Sequence, residues 1–310
     1  MLIFAVWKLS RAVLTLLLCL TSVYVVLRLS GDPATMLLPD DTPQAVVEEY
    51  RRRWGLDRPL VEQYLLYMAG LVRGEFGISF AEGRPALDVV LERWPNTVLL
   101  GSLAVGLAVS LGLPLGILAA LHHGSWIDRS VMSFAVLGFS LPTFFLAILL
   151  ILLFSLHLRV LPSAGSESWA HLIMPVIALG SGLMGKIARF ARTSMLEVMS
   201  LPFIRAARAK GALPLTVLAC HALPNAAVPI LMFLGIEIGL ILTGAVVTET
   251  IFAWPGLGRV LVSAAGQRDL PVIQAGILLV ALTVVVANLA VDLAHAILDP
   301  RANVLGRSTP

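Results

Sequence analysis

Long apolar runs separated by short polar segments dominate this chain and set its predicted elements. Six runs approach the ~20 residues that an α-helix needs to cross a hydrocarbon layer: residues 9–29, 96–121, 131–156, 171–191, 226–248 and 272–297. The second carries no charge and contains Gly112-Leu113-Pro114-Leu115-Gly116; the fourth holds Pro175, several glycines, then Lys186 and Arg189; the fifth holds one acid, Glu237. Between the first two runs the pattern turns amphipathic. Thr42 can cap a helix with Pro43 at its first position, and Gly55 can stop it. Glu48/Arg52 and Glu49/Arg53 are spaced as pairs on one helix face, which makes Arg51-Arg52-Arg53 a solvated surface or a contact for an acidic partner. A second amphipathic helix is predicted from Pro59 to Arg73, ending at Gly74. A third, from Pro85 to Trp94, suits the membrane interface ahead of the second span.

Composition agrees with a polytopic, all-α integral membrane protein: 58% of the 310 residues are hydrophobic and 13% charged, about half the charged share of a soluble domain. Basic residues lie mainly between apolar runs and the net charge is only +3, so no nucleic-acid partner is expected. Lys8 and Arg11 precede the first run as in a signal peptide, and Leu16-Leu17-Leu18-Cys19 faintly resembles a lipoprotein box. The residue before Cys19 is not small, so an uncleaved first span is expected. Cys19 and Cys220 fall at different depths, and no disulfide is expected.

Orientation follows from the short loops. With both termini cytoplasmic, the inner segments hold Lys8, Arg11, Arg129, Lys186, Arg189, Arg192, Arg205, Arg208, Lys210, Arg301 and Arg307; the short outer loops hold only Arg159, Arg259 and Arg268. The expected organisation is a cytoplasmic N-terminus and first span (1–29), an extracytoplasmic helical segment (30–95), a five-helix core (96–298) with a cytoplasmic loop at 192–225, and a cytoplasmic tail (299–310).

Little of the polar chemistry points to catalysis. Gly180-Ser181-Gly182-Leu183-Met184-Gly185-Lys186 imitates the start of a phosphate-binding loop, but Ile187 stands where Ser or Thr would hold magnesium, and the run lies in an apolar helix. Its glycines suit close helix packing, as do Gly112/Gly116 and Gly235/Gly239. Ser140 with His157 or His295 would make an intramembrane hydrolase only if a serine and a histidine met at one depth. The six histidines show no ligand spacing, so neither a catalytic group nor a metal is expected. Glu237 is costly inside a span; it either pairs with a neighbour or lines a polar route. Asp292, near the inner end of the last span, reads as a structural polar contact. The segment Leu196–Asn225 gathers Arg205, Arg208 and Lys210 around Gly211, a residue suited to a sharp helix corner.

Several runs, in order, resemble one family. Ser194-Met195-Leu196-Glu197-Val198, Ile204-Arg205-Ala206-Ala207-Arg208-Ala209-Lys210-Gly211 and His221-Ala222-Leu223-Pro224-Asn225-Ala226 are similar to the EAA loop of binding-protein-dependent ABC importer permeases, in the dipeptide/oligopeptide/nickel branch. Gly31-Asp32-Pro33, Leu56-Asp57, Pro59, Gln63-Tyr64, Gly74-Glu75-Phe76-Gly77-Ile78-Ser79, Arg268-Asp269, Pro271, Asn288-Leu289, Val291-Asp292-Leu293 and Asp299-Pro300-Arg301 extend the match. Thr248-Glu249-Thr250-Ile251-Phe252-Ala253-Trp254-Pro255-Gly256-Leu257-Gly258-Arg259 is its most specific run. The chain departs from the family at Pro202-Phe203, at Pro224, and at Glu237, where Gln is frequent.

The resemblance implies a type I importer permease fold with about six transmembrane helices in the bacterial inner membrane. It implies a second homologous permease, two cytoplasmic ATPases that hold ATP and Mg²⁺, and an extracytoplasmic solute-binding protein. Arg205, Ala207, Arg208, Ala209, Lys210, Gly211, His221 and Asn225 would couple to an ATPase. Glu237 would line the pathway, and Trp254, Pro255, Gly256 and Arg259 would face the binding protein. This chain would hold no nucleotide or other cofactor itself. Dipeptides, oligopeptides or peptide-like solutes are the expected cargo, with a nickel chelate or glutathione as alternatives of the same family. An ion-driven secondary transporter is the alternative of another class; such proteins often show an inverted repeat, which this sequence lacks.

Overall fold

A computed structural model describes residues 2–29, 42–53 and 57–298. Its elements in chain order are α1 (Leu2–Leu29), α2 (Gln44–Arg53), α3 (Leu60–Arg73), α4 (Ala86–Leu121), α5 (Trp126–Ser140), α6 (Thr143–Leu150), α7 (Ala170–Ser200), α8 (Pro202–Ala209), α9 (Pro214–Thr216), α10 (Leu223–Ile251), α11 (Leu257–Gly266) and α12 (Leu270–Leu298). Wider π-helical turns extend α6 over Ile151–His157 and join α9 to α10 over Val217–Ala222. Gly31-Asp32-Pro33, Gly55-Leu56, the tail from residue 299 and the side chains of Arg53, Asp292 and His295 lie outside the described part.

The described residues account for part of the expected six spans. Among the described residues, four helices are long and apolar enough to cross a membrane: Ala86–Leu121, Ala170–Ser200, Pro214–Ile241 and Leu270–Val291. The expected third span is two helices, Trp126–Ser140 and Thr143–His157, bent by 99°. Proline explains the break: Pro142 has no N–H to give, and it pushes Leu141 into extended backbone at φ −78, ψ 125. At the N-terminus α1 runs from Leu2 to Leu29 and includes the apolar stretch Val13–Val26. The separate interfacial helix expected at Pro85–Trp94 is corrected. The chain enters α4 at Ala86 and continues through Pro95 without a stop.

The chain divides into two compact units, residues 1–95 with 260–283 and residues 96–259 with 284–310. In the first, Thr21 shares a 2.7 Å hydrogen bond with the Tyr64 hydroxyl, and Tyr24 packs edge-on against Tyr64 and stacks on Tyr67. Arg52 and Glu48 lie 3.7 Å apart on the exposed face of α2, as their spacing predicts. α3 ends as expected at Gly74, whose φ of +75 is left-handed; Gly74 N–H reaches Leu71 and Glu75 N–H reaches Gly70. These crossed bonds satisfy the last carbonyls of the helix. The loop beyond is pinned by buried Asp269, which accepts from the Ser79 hydroxyl and the Ala81 N–H.

The second unit is built around α7, the run whose glycines and charges weaken its apolar pattern. Its small residues let neighbours approach. A Cβ on Gly112 or Gly116 of α4 would collide with the carbonyls of Met184 or Ala188, and one on Gly185 would collide with Ala135 of α5. Gly235 and Gly239 of α10 pack against the side chains of Val291 and Val284, a milder approach. In lipid such close approach is a main source of helix association, because apolar surface gains little by leaving hydrocarbon for protein. Large side chains such as Phe144, Leu149, Leu152 and Leu156 remain exposed on the bent pair, as lipid contact requires.

Arg192 ties α7 to the first turn of α5. It donates to both oxygens of Asp128, at 2.6 and 2.7 Å, and Asp128 also accepts from Gly124 N–H at 2.9 Å. Removing one partner strands a nearly buried carboxylate. Arg192→Ala is therefore expected to destabilise the protein by about 3 kcal/mol. The midpoint of heat-induced aggregation of the purified protein reads this, and Arg192→Lys should recover only part because a point charge cannot fork. An unchanged midpoint in Arg192→Ala would discount the clamp.

Candidate coupling surface and intramembrane ion pair

The expected coupling residues gather on one short helix and the turn after it. Pro202 opens α8 at a position where a missing N–H costs nothing. Ile204 and Ala207 are buried in a cluster with Ala120, Ala191, Met195, Val198, Val217, Ala222, Ala226 and Ile230. That apolar face seats α8; Arg205, Arg208, Ala209, Lys210 and Gly211 are exposed. Ala207, expected among the coupling contacts, is buried, so it supports the helix rather than presenting a surface.

Gly211 stops α8 in left-handed backbone at φ +83. Its N–H reaches Arg208 at 3.0 Å, and Ala212 N–H reaches back to Ala207 at 3.2 Å. This is the same termination as at Gly74, and it fixes where the chain leaves the helix. Pro214 then opens the next turn, with Leu213 and Leu215 exposed beside it. Asn225 donates to the His221 carbonyl at 2.7 Å, bracing the π-helical turn that leads into α10. A groove of about 290 Å³ lies along the base, lined by Leu121, Met199, Arg208, Pro214, Val217 and Leu218 among others. Among the described residues Arg205, Arg208 and Lys210 form no ion pair. A rigid helix therefore offers three free cations.

Glu237 has a partner that spacing along the chain does not reveal. Lys186 of α7 holds both its oxygens, at 2.8 and 3.1 Å. The Glu237 side chain is 11% exposed and that of Lys186 37%. One turn further along both helices, Phe190 and Phe233 stack with centroids 4.6 Å apart. Beyond them Ser194 donates to the Ala226 carbonyl. These rungs run in opposite directions along α7 and α10, as antiparallel helices demand. Lys186, counted above with the inner loops, thus sits midway along α7, opposite Glu237.

The run 248–259 folds into a knot rather than a flat face. Glu249 is fully buried; its carboxylate accepts from the Thr97 hydroxyl and from Arg259 N–H. Thr97 in turn accepts from Leu257 N–H at 2.7 Å. The Trp254 indole donates to the Asn96 carbonyl, and Asn96 donates to the Pro255 carbonyl. Trp254 and Gly256, expected to face a partner, are buried; Arg259 is exposed and Pro255 partly so.

No catalytic or metal constellation emerges among the described residues. No group of three or more His, Cys, Asp or Glu could hold a metal. Ser140 is exposed at the break before Pro142, with no histidine in hydrogen-bond contact.

Comparison with known proteins fits this architecture. Residues 112–304 match the sequence profile described as binding-protein-dependent transport system inner membrane component, and residues 1–101 match that of the N-terminal part of such membrane components. The chain belongs to this family. It is the permease subunit of an ABC importer, a multi-pass membrane component of a binding-protein-dependent system, working by transport rather than catalysis. The permease is 41% identical over 272 residues to the glutathione transport system permease protein GsiC of Escherichia coli strain K12, covering 88% of this chain and 89% of that one. The GsiC protein of Shigella dysenteriae serotype 1 strain Sd197 shows the same identity and coverage. Among solved structures, the MetNI methionine ABC transporter in inward-facing conformations aligns with a TM-score of 0.58 at 20% identity, covering 68% of the permease and 96% of that chain. That likeness is one of fold.

Proposed function

We propose that this permease imports peptide-like solutes, glutathione among them, in a complex with a second homologous permease, two cytoplasmic ATPases that bind ATP and Mg²⁺, and an extracytoplasmic solute-binding protein. Both termini face the cytoplasm of a bacterial cell, and the chain forms half of the pathway. The observation that carries the coupling role is α8: an apolar face locked into the core and a fixed exit at Gly211, with Arg205, Arg208 and Lys210 unpaired and exposed. Such a helix can fill a cleft of an ATPase and move as one piece. ATP can then shift the permease only if the ATPase pair grips one of its two packed states better than the other. Ala209, His221 and Asn225 complete this surface, and Ala207 anchors it. Glu237 lines the solute route. On the opposite side Arg259 and Pro255 meet the binding protein, with Trp254 and Gly256 shaping the loop beneath them. The 41% identity to a glutathione permease supports the choice of cargo.

The test is ATP hydrolysis by the complex that copurifies with the tagged chain, reconstituted in lipid with its cognate binding protein. Glutathione, a dipeptide, a longer peptide and a nickel chelate are added separately. Glutathione or a peptide is expected to stimulate hydrolysis several-fold. Stimulation by the nickel chelate alone would replace the cargo, and a chain that copurifies with no ATPase would remove the partner-dependent reading.

A further inference from the structure

The Lys186–Glu237 pair has properties that a simple strut does not need. An ammonium more than a third exposed in the middle of a span cannot face lipid, so what covers it is polar or charged. Two of its three N–H groups go to Glu237, and among the described residues the third has no acceptor. The stacked Phe190 and Phe233 form an aromatic floor one turn away. Around Glu237, among the described residues, the same helix exposes the apolar side chains Met232, Ile236 and Leu240. A cation, an anion and an aromatic surface therefore sit together in an otherwise apolar face.

We infer that Lys186 and Glu237 form a charge-exchange seat selecting solutes that carry both a free ammonium and a free carboxylate, with Lys186 a specificity-determining residue. This rests on the proposal above that the permease passes peptide-like solutes. The physics is a balance of partners. A zwitterion can take Lys186 with its carboxylate and Glu237 with its ammonium, so two pairs replace one and every charge stays compensated. A solute blocked at either end opens the pair and strands one charge inside the membrane, which is the costly outcome. A neutral solute gains nothing from opening it. The stem of Lys186 is long and flexible enough to swing from Glu237 to a solute without moving either helix.

The experiment uses the whole complex in proteoliposomes with its binding protein and ATP. Initial uptake is measured for trialanine, its N-acetylated form and its C-amidated form, each at concentrations that saturate the binding protein. Wild type is compared with Lys186→Met/Glu237→Gln, which removes both charges and strands neither. Selectivity of the binding protein cancels, because the same protein serves both. The preference for free over blocked trialanine is expected to fall about tenfold in the neutral pair, the scale of a charge-assisted hydrogen bond. A strut would slow all three forms alike, and a preference unchanged within about twofold, on the same scale, would overturn the seat while leaving the importer reading intact. If wild type takes up none of the three, the seat falls as a selector of free peptide termini, while the cargo proposal is decided by the glutathione and peptide arms of the hydrolysis assay above. Should the Met/Gln pair fail to assemble, Lys186→Gln/Glu237→Gln keeps a hydrogen bond between the helices and is read the same way.

Discussion

Gly211→Pro is expected to leave the permease in the membrane at near wild-type amount while cutting solute moved per ATP by a factor in the range of about 5–150, the span of typical coupling free energies. Two features of the turn make the substitution decisive. Gly211 sits at φ +83, and proline locks φ near −65°. Its N–H also closes the bond to Arg208, which proline cannot make. The exit from α8 must then be rebuilt, and the direction in which Lys210 and the following chain leave the helix changes. The buried side of α8 is untouched, because Ile204 and Ala207 make their contacts upstream of the turn. Space is not the limit, since a Cβ on Gly211 would meet nothing within 4 Å. Gly211→Ala therefore isolates the left-handed penalty, about 1–2 kcal/mol, and should give an intermediate loss. Uptake and ATP hydrolysis measured together in proteoliposomes decide the matter. A Gly211→Pro complex with a wild-type ratio of solute to ATP would remove α8 from the coupling path.

How much of this was legible in the sequence depends on the kind of signal. The helical stops were readable because left-handed glycines leave a local mark: Gly74 and Gly211 end their helices with the same crossed hydrogen bonds. Close helix approach was readable from Gly112/Gly116 and Gly235/Gly239 for the same reason. The bend at Pro142 was hidden in plain sight, since residues 131–156 form one apolar run and apolarity alone does not report direction. Pro95 misled in the opposite sense, because helices tolerate proline where neighbouring contacts compensate.

Side-chain facing was the least legible property. In lipid, the outer surface of a helix is as apolar as its buried side, so hydrophobic patterning cannot separate Leu150, which is buried, from Leu149, which is exposed. Glu237 could be singled out from its cost, but its partner stands 51 residues earlier, in a stretch that reads as the edge of a basic loop. The run Trp254-Pro255-Gly256 was specific enough to carry a resemblance. Whether it forms a face or a buried knot depends on Thr97 and Asn96, more than 150 residues away.

Gly256→Ala is expected to be severely damaging. Pro255 to Gly258 lie directly on the Glu249 carboxyl: a Cβ at Gly256 would overlap that group, and one at Gly258 would press on Val246 and on the same carboxyl. The carboxyl has nowhere to go. Its oxygens accept from the Thr97 hydroxyl and Arg259 N–H, and Thr97 is fixed by Leu257 N–H. Pushing it aside breaks those bonds and leaves a fully buried acid and an amide without partners, a loss of about 2–6 kcal/mol. That approaches the whole stability of many folds, so the yield of monodisperse protein after detergent extraction should collapse. Gly106→Ala is the matched control. Gly106 also sits in the second unit, inside α4, where an added Cβ meets nothing within 4 Å. There alanine should add up to about 1 kcal/mol of helix propensity and preserve the yield. Equal yields of the two variants would mean that the knot around Glu249 can relax, and that the run from Thr248 to Arg259 is held by something other than the carboxylate beneath it.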